Sequence, residues 1–274
     1  MEEEAAVTLA DALRGRRVVA LTGAGVSTES GIPDYRSPGA LARPRRPIQG
    51  PEFVRSAALR RRYWARAMAG WEHFGRAEPG PSHRALASLE SRGLLSSVIT
   101  QNVDRLHHRA GSRRVTELHG ALAEVVCLAC GALEDRHDVQ RRMREANASW
   151  LDGPSPMAPD GDAELAEQVV ERFVVPLCLR CGGDLKPRVV FFGDKVPAEV
   201  TKEAFDRLAE AETLLVLGTS LAVFSGYRFL LRASERRMPI FIVNRGPVRG
   251  EERATRKLEG STGAVLARLA ELLA

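Results

Sequence analysis

Val18-Val19-Ala20-Leu21-Thr22-Gly23-Ala24-Gly25-Val26-Ser27 is the stretch whose reading decides the fold. A short apolar run that ends in a glycine-bearing turn and a helix start reads as a strand, a tight loop and a helix N-terminus. Glycines in such a loop let backbone N–H groups approach a pyrophosphate, and the helix N-terminus adds favourable partial charge. Alone the signal is weak: Thr28 stands where the dehydrogenase fingerprint has its third glycine, and an ordinary strand-to-helix turn looks the same.

Outward from that stretch the same rhythm recurs. Ala5–Leu13 has helical spacing and stops at Gly15, and Ser82–Glu90 is helical with Ala85, Leu86 and Leu89 facing inward. Strands are expected at Leu94–Thr100, Val115–Leu118, Arg188–Phe192, Thr213–Leu217 and Pro239–Val243, with helices at Ala198–Ala211, Gly226–Ser234 and Thr262–Leu273. Apolar strands alternating with helices predict an α/β fold, a Rossmann-like doubly wound parallel sheet. The strand-end residues Ser27, Asn102, Ser220 and Asn244 then share one rim, beside the crevice where such sheets bind ligands. Two insertions interrupt the rhythm. The stretch from Pro38 to Gly80 carries helical Arg- and Trp-bearing segments broken by prolines, and that from Val125 to Lys186 holds four cysteines and a polar tract, Gly153 to Asp162. The expected division is a discontinuous main domain, 1–40, 78–122 and 188–274, and a smaller domain of 41–77 and 123–187.

The richest polar stretch is Gln101-Asn102-Val103-Asp104, followed by His119-Gly120. These put two amides, a carboxylate and an imidazole near the ends of two predicted strands. Asn102 and Asp104 equally suit the cap of a short helix starting near Val103. His107 and His108 read as helix-surface residues, and Arg60-Arg61-Arg62 with Arg66 as a solvated helix face.

A chain of 274 residues with net charge +5 can bury a large core without staples. Its basic groups are almost all arginine and scattered, which is no nucleic-acid footprint. No apolar run reaches membrane-spanning length, and the acidic opening Met1-Glu2-Glu3-Glu4 resembles neither a secretory signal nor a transit peptide, so the expectation is a cytoplasmic protein. All four cysteines fall into two Cys-x-x-Cys pairs, Cys127/Cys130 and Cys178/Cys181, each followed by glycine. Four thiolates complete a tetrahedral zinc and leave no position for water, so the expected metal site is structural; a redox dithiol is the alternative.

Together these motifs resemble the sirtuins, NAD-dependent protein-lysine deacylases. Gly23-Ala-Gly-Val-Ser27, Gly31-Ile-Pro-Asp-Tyr-Arg36, Thr100-Gln-Asn-Val-Asp104, His119-Gly120, the paired Cys-x-x-Cys, Phe192-Gly193-Asp194 and Gly218-Thr-Ser220 stand in the family's order along essentially the whole chain. Tyr63-Trp-Ala-Arg66, Ala158-Pro-Asp-Gly-Asp162 and Ser225-Gly-Tyr-Arg-Phe229 resemble its class II branch, the mitochondrial sirtuin-four type and bacterial relatives. Asp194 replaces a frequent glutamate, and Phe224-Ser225 stands where many members have Pro-Ala.

The resemblance implies that Gly23, Ala24, Gly25 and Ser27 hold the pyrophosphate of NAD and that Asp34, Tyr35 and Arg36 close over the nicotinamide ribose. Gln101, Asn102 and Asp104 would line the nicotinamide and ribose pocket, with Gly218, Thr219, Ser220, Asn244 and Thr262 at the phosphate and adenosine end. The catalytic set it implies is His119, Asn102 and Asp104. In the family's mechanism the acyl oxygen attacks C1′ as nicotinamide leaves, and His119 then serves as base on a ribose hydroxyl, a task suited to a near-neutral imidazole. The products are nicotinamide, O-acyl-ADP-ribose and the free lysine. An acyl-lysine protein or peptide is the implied partner, its extended backbone pairing with Val190, Phe191, Phe192 and Gly193 beside Val223. Tyr63 and Arg66 lie one helical turn apart, and a similar pair grips an acyl carboxylate in the desuccinylase branch. Longer or acidic acyl groups, or lipoyl, are therefore expected over acetyl. Mono-ADP-ribosyl transfer to a protein and NAD sensing without turnover are the other readings. A monomer is compatible with all three.

Overall fold

All five residues from Val18 to Thr22 are buried, on both faces of the strand they form, as befits the middle of a parallel sheet. The computed structural model describes residues 2–35, 47–148, 165 and 170–274. Among the described residues the strands are β1 Val18–Thr22, β2 Ser97–Thr100, β3 Val115–Glu117, β4 Gly120–Cys127, β5 Leu133–Asp135, β6 Leu185–Val189, β7 Thr213–Leu217, β8 Ile240–Val243 and β9 Arg256–Leu258. The chain divides into two compact units, one of Met1–Ile32, Glu78–Leu118 and Val196–Ala274, the other of Pro33–Ala77 and His119–Lys195. The boundaries fall at 32, 118 and 195 rather than at the anticipated 40, 122 and 187. The reason is a ladder: β4 pairs antiparallel with β6, and Val190 N–H donates to His119 O at 2.9 Å, so both segments belong to the second unit.

In the first unit six parallel strands run in the order β3-β2-β1-β7-β8-β9. With β4 to β6 set aside, this is the doubly wound order 3-2-1-4-5-6, whose switch point lies between β1 and β7. Strand alternation sorts side chains to two cores. Val18, Ala20 and Leu215 meet Leu9, Leu86 and Leu266 of helices Glu2–Leu13, Pro81–Ser91 and Thr262–Leu272. Val19, Leu21, Leu214 and Val216 meet Leu208 and Phe229 of helices Ala198–Glu210 and Phe224–Glu235. Three details differ from the sequence reading. The glycine turn leads into a 3-10 helix, Ala24–Ser30. The second strand begins at Ser97, because the N–H groups of Leu94 and Leu95 go back to Leu89 O and close the preceding helix after Gly93 (φ +74°). Strand β9 was not foreseen; with Arg256 and Lys257 it is an edge strand, where charge replaces apolar alternation.

The second unit is built on the sheet β5-β4-β6. Helix Ala57–Arg76 is capped by Ser56, whose Oγ accepts from Leu59 N–H at 3.1 Å, and helix Arg136–Ala146 by Asp135, whose carboxylate accepts from His137 N–H at 2.7 Å. Their shared core holds Phe53, Tyr63, Trp64, Met68, Val125, Met143 and Leu185. Arg136 is buried in it, with its guanidinium over the rings of Trp64 and Trp71 at 5.6 and 4.5 Å and donating to Gln140 Oε1 at 2.7 Å. The anticipated solvated arginine face holds for Arg61 and Arg62 but not for Arg60. Arg60 is buried, donating to Phe53 O at 3.0 Å and Val54 O at 2.8 Å and pairing with Asp184 at 2.8 Å. The strand expected over Arg188–Phe192 instead occupies Leu185–Val189. Arg36 and the tract Gly153 to Asp162 lie outside the described residues.

Candidate functional site

At the switch point of the first unit two strand-end turns interlock. Gly23 N–H donates to Leu217 O at 3.1 Å and Gly25 N–H to Gly218 O at 2.8 Å. A Cβ on Gly23 would lie 2.5 Å from Thr219 Cβ, one on Gly25 2.8 Å from Gly218 Cα, and one on Gly218 2.7 Å from Val26 N. Gly218 also has φ +56°, a left-handed conformation that favours glycine. The glycines thus serve close approach of the two turns, and that approach sets the backbone cradle into which the pyrophosphate is expected. Gly218→Ala should lower the melting temperature, at a cost of about 1–3 kcal/mol. It should also weaken the thermal shift produced by NAD; an unchanged melting curve and an unchanged NAD shift would contradict this account.

Next to the cradle lies a continuous polar chain. Gln101 Nε2 donates to Thr219 Oγ1 at 2.9 Å, and Asn102 Nδ2 to Gly23 O at 3.1 Å and Ser27 Oγ at 3.0 Å. Ser27 Oγ donates to Asp104 Oδ2 at 2.7 Å, while Asp104 Oδ1 accepts from Leu106 N–H at 2.9 Å. Asp104 therefore both holds the first amide of the short helix Leu106–Arg109, whose N-cap position is Arg105, and belongs to the site. His83, which sequence reasoning passed over, completes the set. Its Nδ1 accepts from Gly80 N–H at 3.1 Å, which leaves the proton on Nε2, 3.4 Å from Ser27 Oγ. The Ser27 hydroxyl then accepts from His83 and Asn102 and donates to Asp104, its full capacity. The signal for His83 was present: it lies one turn before Leu86, on the buried face of its helix.

His107 is likewise not a surface residue. It is buried, its Nε2 stands 3.0 Å from Thr22 Oγ1, and its ring meets that of His83 at 4.8 Å. Burial pushes the His83 imidazole down to about 4, against the pull of Asp104, and pushes His107 well below its ordinary value. An imidazole that is neutral in the fold but protonated below 6.5 when unfolded costs stability as pH falls from 6.5 through the folded value. For His83 the loss spans about pH 6.5 to 4. Melting temperature should therefore fall over that window, and His83→Gln should flatten the slope; equal slopes in the two proteins would contradict the assignment.

The remaining first-unit positions spread along the same sheet. Thr219 is buried, and its Oγ1 also accepts from Leu221 N–H at 3.1 Å. Asn244, just past β8, folds its amide back to Arg245 O at 2.9 Å and Gly246 O at 3.1 Å. Thr262, at the first turn of the last helix, is buried with its Oγ1 accepting from Ser82 Oγ at 2.9 Å. Ser220 is half-buried and Val223 is exposed.

The second unit carries the other candidates. His119 is half-buried at the head of β4. Gly120 beside it has φ +73°, and a Cβ there would sit 2.1 Å from Arg188 O, so the histidine is presented from a crossing of two strands that only glycine permits. Val190 to Gly193 follow β6; Phe192 O accepts from Gly50 N–H at 2.9 Å, and Asp194 pairs with Lys186 at 3.2 Å. Tyr63 is buried, its ring 5.5 Å from Phe53 and 5.6 Å from Phe191, so two of the anticipated substrate residues meet in one aromatic cluster. Arg66 is half-buried one turn on; Asp34 is half-buried and Tyr35 exposed.

The four cysteines converge. Their sulfurs all lie within 4.8 Å of one another, with Cys127–Cys181 at 3.5 Å and Cys130–Cys178 at 3.8 Å. A zinc tetrahedron with Zn–S of about 2.3 Å has edges of about 3.8 Å. The knuckles match: Gly131 N–H returns to Cys127 O at 3.0 Å and Gly182 N–H to Cys178 O at 2.9 Å, and amides of Ala129 and Arg180 each reach a sulfur at 3.4 Å. The set fits a structural zinc with sulfur at all four positions.

Residues 23–225 match the model of the Sir2 family. The chain is 50% identical to human "NAD-dependent protein lipoamidase sirtuin-4, mitochondrial" over 254 residues, 92% of this chain and 81% of that protein. It is 47% identical to NAD-dependent protein deacetylase 1 of Streptomyces coelicolor, covering 97% of this chain and 89% of that one. Among solved structures, a Sir2 complex with a p53 peptide and NAD+ superposes with TM-score 0.77 at 30% identity, covering 96% of each chain. Sir2Tm bound to a propionylated peptide does so with TM-score 0.75 at 31% identity, over 97% of each chain.

Proposed function

The chain belongs to the Sir2 family and is similar to proteins named NAD-dependent lipoamidase and deacetylase, and we propose that it removes longer, acidic or lipoyl groups from lysine in preference to acetyl. The observation that carries the preference is the aromatic cluster of Tyr63, Phe53 and Phe191 with Arg66 one turn away, in a chain half identical to a lipoamidase. An aromatic wall takes up methylenes, and an arginine adds a fork for a terminal carboxylate.

In this reading the first unit binds NAD, with the amides of Gln101 and Asn102 and the carboxylate of Asp104 fixed in advance by Thr219, Gly23 and Ser27. The nicotinamide–ribose bond of NAD supplies the leaving group. His119 takes a proton from a ribose hydroxyl, and the segment from Val190 to Gly193 holds the peptide backbone. Among the described residues no helix is long and apolar enough to cross a membrane. Human sirtuin-4 is named mitochondrial, whereas the acidic opening of this chain favours the cytoplasm.

The test is a panel of one peptide carrying acetyl-, succinyl-, glutaryl-, methylglutaryl- or lipoyl-lysine, turned over with NAD. The proposal expects the best longer acyl group to exceed acetyl in kcat/KM by about tenfold or more. Acetyl-lysine as the best substrate would sink the acyl preference.

A further inference from the structure

Two arginines of the first unit bracket an exposed apolar step at the start of helix Phe224–Glu235. Val223 and Phe224 are 40% and 60% exposed. Arg249 Nη1 donates to Ala222 O at 3.3 Å, and its guanidinium lies over the Tyr227 ring at 4.1 Å. Arg228 Nε donates to Ser225 O at 3.2 Å and its Nη2 to Thr201 Oγ1 at 3.1 Å, with the guanidinium beside the rings of Phe205 and Phe229. The two cations are thus fixed on the carbonyls just before and just after the Val223–Phe224 step. Among the described residues neither pairs with a carboxylate. The acids nearest Arg249 in sequence are engaged elsewhere, Glu251 with Lys257 at 2.9 Å and Glu252 with Arg253 at 3.7 Å.

From this we infer that the step from Ala222 to Ser225, with Arg228 and Arg249, is a substrate-reading surface for a peptide segment that carries acidic residues around an apolar one. The inference rests on the deacylase reading, in which Val223 faces the acyl-peptide, and it names the substrate class as acyl-lysines in acidic, apolar stretches. Guanidiniums already held by stacking and by carbonyls lose little freedom when a carboxylate arrives, so their pairing is more favourable than that of two free surface arginines.

Fluorescein-labelled peptides bearing one acyl-lysine, flanked by Asp and Glu, by Ala, or by Lys, would be titrated by anisotropy against the full chain. Turnover with NAD would be followed in parallel. The acidic peptide should bind about fivefold tighter than the alanine peptide at low salt, and the gap should narrow as ionic strength rises. Arg249→Glu, at an exposed position, should reverse the order of acidic and lysine flanks. Arg228→Gln, with its melting temperature checked because Arg228 also packs on two rings, should narrow the gap. Equal affinity for acidic and alanine flanks, or a preference untouched by Arg249→Glu, would overturn the inference. Acid-selective binding with no turnover of any peptide would support the surface and count against the deacylase reading alone.

Discussion

Replacing His119 with alanine should reduce deacylation by about 10²- to 10⁴-fold, the usual contribution of a general base, while acyl-peptide-dependent exchange of labelled nicotinamide persists. The asymmetry follows from where the imidazole is expected to act, after nicotinamide has left. The substitution leaves the backbone in place. His119 O still accepts from Val190 N–H, and Gly120 still passes Arg188 O, because neither contact involves the side chain. A fold-wide effect should therefore be absent, and the melting temperature of the variant checks it. Equal loss of exchange and deacylation in a folded variant would mean that His119 acts before the ribose hydroxyl is deprotonated.

Loss of the zinc should be the most damaging change to stability. Structural zinc sites bind with about 10–16 kcal/mol in small peptides, as much as the whole stability of an ordinary domain. Here Cys127 and Cys178 are buried in the core that also holds Phe53, Tyr63, Trp64 and Leu185. Removing the metal would let the sulfurs take up protons and release the two knuckles from each other beside that core, against which Phe191 also packs. Cys178→Ala should abolish the metal, which elemental analysis of the wild type should find at one zinc per chain, and should unfold the second unit. Chelation under mild heating should do the same to the wild type. A Cys178→Ala protein that stayed folded, zinc-free and active would overturn a structural role.

Much of this is legible in the sequence. Buried parallel strands advertise themselves as short apolar runs, so Thr213–Leu217 was read to the residue. The cysteine pairs were legible because spacing alone dictates four-thiolate chemistry. Where burial or pairing depends on distant partners, the sequence is mute. Arg60 and His107 look like surface residues until Asp184 and Thr22 are brought to them. Strand β4 has charged Glu124 among its apolar residues, and β5, Leu133–Asp135, is too short to show a period. His83 hid in a different way. A histidine at the third position of a helix reads as unremarkable until its two nitrogens are seen to join Gly80 to Ser27.

The most direct measurement is mass spectrometry of the products formed from NAD and a lipoyl- or glutaryl-lysine peptide. Nicotinamide, acyl-ADP-ribose and free lysine should form in equal amounts, with no product when NAD is omitted. Nicotinamide release accompanied by ADP-ribose attached to protein, with no acyl-ADP-ribose, would contradict it.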